Sequence, residues 1–252
     1  MISVLAYTLI VLLGVLYCIP AISFMLIFAL LNFYNPLRIR RMMRRIILGL
    51  GRVTVRLAMR PFVKVETEYE DSSENPGTAV YICNHRSASD AFLVSEVRTD
   101  VIGFQVMKGW VIHLPFLGLC SKIGGYFSIT EQSFEETLEK SRQLMLNEKA
   151  PVFVYPEGTR SGSRKINQFH GTFFRIAKEL DLPIVPVAIA GNENIPDLNF
   201  KLHCGRIKIK VLKSIPREQV KELSLFALKN LVRNRLIEET GLLDERLDNH
   251  EK

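Results

Sequence analysis

The chain has 252 residues, 48% of them hydrophobic and 23% charged, with four cysteines and a formal net charge of +7. That balance excludes a disordered chain, a disulfide scaffold and a fibre. The length suits one large domain carrying an attachment.

The attachment comes first. Ile2 to Tyr34 is a run of 33 residues without a charge, where about 20 suffice to cross a bilayer. As one straight helix it would be about 50 Å long against a hydrocarbon core of about 30 Å. It must therefore tilt, kink at Pro20 or fold back, and a bent span and a re-entrant helical hairpin both stay open. A cleaved signal peptide fits poorly, because the run is long and lacks a positive n-region. Arg38 to Arg60 then holds eight arginines and no acid, so the rest of the chain sums to −1. A basic block against an apolar run points to an anionic membrane surface rather than to nucleic acid. By the positive-inside rule the downstream body lies on the cytoplasmic side, at the inner membrane in a bacterium. Residues 1–60 are thus expected to be a membrane-anchoring helical segment and 61–252 the α/β domain.

Within that domain short β-rich runs alternate with helical ones. Strands are expected at Phe62–Glu68, Ala79–Cys83, Ile102–Met107, Tyr126–Ile129, Pro151–Tyr155, Ile184–Ile189 and Ile207–Leu212. Asp71–Gly77 reads as a loop. Helices are expected at Ala88–Val97, Glu131–Asn147, Thr172–Leu180 and from Pro216 to about Glu239. The alternation indicates a largely parallel central sheet flanked by helices. Cys18, Cys83, Cys120 and Cys204 lack any metal or disulfide spacing and read as four buried apolar thiols in a reducing compartment.

Chemistry gathers at strand ends. Asn84-His85-Arg86-Ser87-Ala88-Ser89-Asp90 follows the strand ending at Cys83. On a regular helix His85 and Asp90 would point about 140° apart. They meet only if His85 lies in the loop and Asp90 in the first helical turn, where Asp90 would orient the imidazole as a base. Ser87-x-x-Asp90 also fits a capping box, and the two readings are compatible. Tyr155-Pro156-Glu157-Gly158-Thr159-Arg160-Ser161 follows another strand and offers N–H groups, hydroxyls and a guanidinium to a phosphate. Glu157 needs a partner there, Arg160 or a substrate hydroxyl. Lys108 to Gly125 is apolar and broken by Pro115 and glycines, as a groove for an alkyl chain or as core, and His113 within it reads as packing. Nucleophile elbow, P-loop, H-E-x-x-H and G-x-G-x-x-G are all missing from the sequence.

Asn84-His85-x-x-x-x-Asp90, the Lys108…Pro115-x-x-Gly118 stretch, Phe153 to Ser161 and Leu182 to Ala188 stand in the order of the four motif blocks of the glycerolipid acyltransferase family, which the chain resembles over about residues 80 to 190. The resemblance implies transfer of a fatty acyl chain from an acyl thioester, of coenzyme A or acyl carrier protein, to the free hydroxyl of lysophosphatidic acid. It implies no resident cofactor and no metal. His85 would be the general base and Asp90 its orienting partner, with direct transfer and no covalent intermediate. The substrate-binding residues it implies are Asn84, Arg86, Lys108, Glu157, Gly158, Thr159, Arg160 and Pro186. Of these, Glu157 to Arg160 would take the glycerol phosphate and Pro186 would shape the acyl-donor site. Three positions depart from the family pattern. Ser128-Ile129-Thr130-Glu131 stands where Phe-Ile-Asp-Arg is usual, His170 replaces a Lys before Gly171, and Ala88 replaces a bulky residue. Glu131 in particular favours the alternative of another lysolipid, with a larger head group or an amino group. A non-catalytic membrane-surface binding protein is the alternative from another class.

Overall fold

The computed structural model describes residues 2–70, 77–113, 115–130 and 132–250. The expected loop at 71–77, save Gly77, and Glu131 lie outside them. The elements are α1 (Ile2–Leu31), α2 (Pro36–Val53), β1 (Val63–Tyr69), β2 (Val80–Cys83), α3 (Asp90–Leu93), β3 (Phe104–Gln105), α4 (Gly109–Ile112), α5 (Pro115–Gly124), α6 (Phe134–Arg142), β4 (Val152–Val154), α7 (Thr172–Glu179), β5 (Ile184–Ala190), β6 (Gly205–Val211), α8 (Arg217–Glu222) and α9 (Leu225–His250).

The apolar run forms one helix that continues through Pro20, so the re-entrant hairpin within it is not what forms. The chain reverses instead after α1, where Phe33 and Tyr34 take φ of 50° and 54°. Asn35 then caps α2 through a bond from the Arg38 N–H (3.1 Å), with Pro36 in the first turn. A proline there has no N–H to leave unpaired. α2 lies back along α1, and the Tyr17 hydroxyl donates to the Ile46 carbonyl at 3.1 Å. Gly49 permits that approach, since a Cβ there would sit 2.0 Å from the Tyr17 oxygen.

The arginine block divides between two tasks. Arg38, Arg41, Arg45 and Arg52 are exposed, and at 100° per residue they fall within a stripe of about 60°. Arg40 and Arg44 turn the other way and pair with Glu148, Arg44 at 2.9 Å and itself only 1% exposed. Not all of the block is therefore offered to a membrane surface.

The six strands run in the order β1-β6-β5-β2-β4-β3. All neighbours are parallel except β5 and β6. β2, β4 and β5 are buried along their length, which is why they read as continuous apolar runs, as strands covered on both faces do. One face, with Val80, Ile82, Val152 and Ile184, packs with residues of α7 and α9. The other, with Tyr81, Cys83, Phe153 and Val187, packs with Leu93, Val55, Met59 and Ala6. The first turns of α1 and the π-helical turn after α2 (Thr54–Ala58) thus belong to the core of the domain, across the boundary expected at residue 60.

Several elements differ from expectation. Ala88–Val97 is α3 plus a 3-10 turn, Val94–Glu96. The strand at 102–107 shortens to β3, and 126–129 contributes one bridge, Met107 to Ser128. The last helix is two, broken around Leu223, where ψ is 141°, and it runs on to His250. Of the thiols Cys83 is buried, Cys18 and Cys120 half-buried, and Cys204 exposed, so they are not four buried core residues.

Candidate active site

The topology dictates where the site forms. β4, β2 and β5 are parallel neighbours, so the segments leaving their carboxyl ends emerge side by side, as at a ligand crevice of an open α/β sheet. After β2 the Asn84 amide pairs with both the N–H and the carbonyl of Ile189 on β5, at 2.8 and 2.9 Å. That clamp fixes the start of the loop. His85 lies in the loop and Asp90 is the first residue of α3, and His85 Nδ1 is 2.7 Å from Asp90 Oδ2. Asp90 Oδ2 also accepts the Ser87 N–H at 3.0 Å, so the carboxylate serves both the loop turn and the histidine. Ser87 Oγ instead donates to the Pro196 carbonyl. The Asp90 side chain is fully buried while that of His85 is 19% exposed. An aspartate that only accepts leaves the proton on Nδ1 and the lone pair on Nε2.

The loop after β4 is stitched to this one. Ser161 and Gly162 donate their N–H groups to the carbonyls of His85 and Arg86, at 2.8 and 3.1 Å. Glu157 is buried, and its carboxylate accepts the N–H of His85 at 2.7 Å and that of Asn167 at 2.8 Å. Burial pushes its carboxyl above the ordinary value, against the pull of those two donors. The Tyr155 ring lies 4.6 Å from the His85 ring, and its hydroxyl donates to the Asp90 carbonyl. Burial raises that phenol well above the usual range, so it stays a neutral donor. Gly158 has φ of +69°, and a Cβ there would meet His170 at 3.2 Å. Thr159 is exposed and Arg160 half-exposed, its guanidinium 5.0 Å from the centre of the Phe200 ring.

His85, Asp90, Gly158, Thr159 and Arg160 are thus brought to one place by the paired loops. Other expected substrate contacts are set differently. The Asn84 amide is spent on β5. Arg86 is 1% exposed and forks onto Asp244 of α9 at 2.7 and 2.8 Å, with Glu193 at 3.2 Å, so it is committed to the interior rather than to a ligand. The Glu157 carboxylate holds backbone N–H groups, which answers the need for a partner with neither Arg160 nor a substrate. Pro186 is buried in β5 opposite Ile82, and its carbonyl accepts from Leu212 on the β6 side. Its missing N–H would point the same way, so the β2 ladder loses nothing. Lys108 is exposed at the start of α4. Among the described residues no cluster of three His, Cys, Asp or Glu is arranged to hold a metal ion. Tyr155 as the partner of Asp90, Phe200 and Asn192 were not foreseen. Asn192, from the segment after β5, donates to Asp90 Oδ1.

Comparison with known proteins gives a family model described as Acyltransferase that matches residues 64–190. The 1-acyl-sn-glycerol-3-phosphate acyltransferase of Escherichia coli (strain K12) is 28% identical over 185 residues, 69% of this chain and 74% of that protein. The human 1-acyl-sn-glycerol-3-phosphate acyltransferase beta is 29% identical over 141 residues, 54% of this chain and 50% of that one. The crystal structure of the 1-acyl-sn-glycerophosphate (LPA) acyltransferase PlsC from Thermotoga maritima superposes with a TM-score of 0.64 at 19% identity, covering 93% of this chain and 97% of that chain. That likeness speaks for the fold.

Proposed function

This chain belongs to the acyltransferase family, and from that premise we propose that it moves a fatty acyl chain from an acyl thioester to the free hydroxyl of lysophosphatidic acid, making phosphatidic acid. The observation that carries the reading is the 2.7 Å contact between His85 Nδ1 and the buried Asp90 carboxylate. Nε2 takes the proton of the acceptor hydroxyl as its oxygen bonds to the thioester carbonyl carbon. The C–S bond then breaks, the thiolate leaves and is protonated from His85, and His85 returns to its neutral form. Direct transfer of this kind needs no acyl-enzyme. The Gly158 turn, Thr159 and Arg160 would hold the acceptor's phosphate, which suits a guanidinium beside a hydroxyl. Glu157 would act as the brace that keeps the histidine loop against that turn.

α1 is long and apolar enough to cross a membrane, and we assign it the role of anchor, with the exposed stripe Arg38, Arg41, Arg45 and Arg52 on anionic head groups and the catalytic body on the cytoplasmic side. The donor would be an acyl-coenzyme A or acyl carrier protein thioester.

The test is acyl transfer by the purified full chain in detergent micelles, using a labelled thioester of each type against a panel of lysolipids. Lysophosphatidic acid should be the best acceptor, His85→Ala should abolish transfer, and Arg160→Ala should raise KM for the acceptor. If another lysolipid wins, the acceptor assignment fails. Transfer that survives His85→Ala would remove the base.

A further inference from the structure

Asp90 is fully buried, and its two oxygens are treated differently. Oδ2 meets His85 and the Ser87 N–H, whereas Oδ1 has one donor among the described residues, the Asn192 amide. We propose that Asn192 is a positioning residue for acyl transfer: its Nδ2 holds Asp90 Oδ1 so that Oδ2 keeps His85 in one tautomer and one orientation. The proposal rests on the reading of His85 as the base.

Three features of the chain carry it. β5 runs parallel to β2 and ends beside it, and Gly191 turns the chain there with φ of +80°. A Cβ at Gly191 would lie 2.3 Å from the Arg206 carbonyl, so the turn that delivers Asn192 beneath Asp90 requires glycine. Asn192 itself is completely buried, and its Oδ1 has no hydrogen-bond partner among the described residues. Leaving a buried amide oxygen unpaired costs stability, and turning the amide over would aim that oxygen at a carboxylate. The side chain is therefore oriented by Asp90. Finally, the next residue, Glu193, pairs with Arg86 at 3.2 Å and Arg164 at 3.0 Å. The turn is thereby tied to the histidine loop through Arg86 and to the segment after β4 through Arg164.

A hydrogen bond to a buried charged group is worth enough that removing it from the orienting carboxylate should change kcat about 10–100-fold. The experiment compares Asn192→Leu, of similar volume without a donor, and Asn192→Ala, which removes the amide altogether, each alone and in the Asp90→Ala background. Both single variants are expected to lose kcat by that factor with KM for thioester and lysolipid within about twofold of the unmodified chain. In the Asp90→Ala background the same changes should cost less than about twofold, because residues that act as a unit are not additive. A role in packing alone would lower the melting temperature while leaving kcat of the folded protein, or would cost the same in both backgrounds, and either outcome overturns the proposal. If Asn192→Leu does not fold, Asn192→Ala decides, and kcat within twofold sinks the idea. A His85→Ala protein that still transfers acyl chains refutes the base itself, which separates that failure from this one.

Discussion

Removing the carboxylate that receives Arg86 gives a sharp test of how the catalytic loop is held. Arg86 follows His85 in sequence, is 1% exposed, and places two guanidinium nitrogens on Asp244, which is 7% exposed. Asp244→Asn keeps the shape but leaves a buried cation with one neutral acceptor, Glu193 at 3.2 Å and the Arg164 carbonyl at 3.2 Å. Breaking a buried pair from one side costs about 3–5 kcal/mol, and the surviving partners put this variant at the lower end, about 3 kcal/mol. At about 2.1 cal/mol/K per residue the unfolding entropy of a chain this long makes 1 kcal/mol worth about 2 °C, so Tm should fall by about 6 °C. Asp248→Asn is the control. It breaks the neighbouring bidentate pair with Arg164, where both side chains are about half exposed, and such pairs carry less than about 1 kcal/mol. The double change Arg86→Met with Asp244→Leu should recover most of the loss, since apolar replacement removes the stranded charge. Thermal unfolding of the full chain in detergent, followed by circular dichroism, reads all three. An Asp244→Asn protein that melts no lower than Asp248→Asn, or a double variant no better than Asp244→Asn alone, would refute a buried charge pair that holds the histidine loop.

Three further outcomes are expected. Phe200→Ala removes the ring under Arg160, and at about 0.5–1 kcal/mol for an exposed cation–π contact KM for the lysolipid should rise about 2–5-fold while KM for the thioester stays put; equal changes in both would contradict it. Because burial raises the Glu157 carboxyl above its ordinary 4.5, its contribution to stability is fully present below that value and declines as pH rises through the raised one. Melting curves of Glu157→Gln against the unmodified chain should therefore show a Tm deficit that shrinks with rising pH across this window, and a deficit that grows would reverse the sign. Glu148→Gln strands the Arg44 guanidinium beneath α2, and a Tm loss of about 6 °C or more by the same arithmetic is expected; a loss under 2 °C would mean that α2 is held to the body by apolar packing alone.

What could be read from the residues follows burial. β2, β4 and β5 were legible because strands covered on both faces are apolar throughout, and the two loops after β2 and β4 were legible because they carry chemistry beside those runs. The helix at 88–97 shortened because the Asp90 side chain reaches back to His85 and Ser87, and the chain enters a 3-10 turn at Val94. α9 outran its expected end at Glu239 since Thr240, Leu243, Asp244 and Leu247 are all buried against the body, a pattern that Gly241 interrupts in the sequence but not in the helix. Arg86 reads as a substrate contact in the sequence because its partner, Asp244, is 158 residues away. Asn192 was invisible for the same reason: an Asn after a strand is common, and nothing local marks that Gly191 turns it toward a carboxylate 102 residues earlier.

The anchor and the site share one loop, and on the proposed reading that arrangement has a mechanical meaning. The start of α1 is bonded to the segment after the Ile195-Pro196 peptide: Tyr7 donates to the Phe200 carbonyl at 2.8 Å, and Ser3 Oγ accepts the Leu202 N–H at 3.1 Å. The same segment gives the Pro196 carbonyl to Ser87, in the histidine loop, and the Phe200 ring to Arg160, in the phosphate loop. Leu198 and Phe200 are more than half exposed, on the segment that meets the apolar helix. A lysolipid held in a bilayer would present its head group at the level of the anchor, and these contacts put the phosphate-reading arginine and the base at that level too. A second attachment runs from α2 to the body, through Arg40 and Arg44 on Glu148. Two attachments on different elements resist rotation about α1, which a single tether would allow, and so keep the His85 edge turned toward the surface from which both lipid substrates arrive.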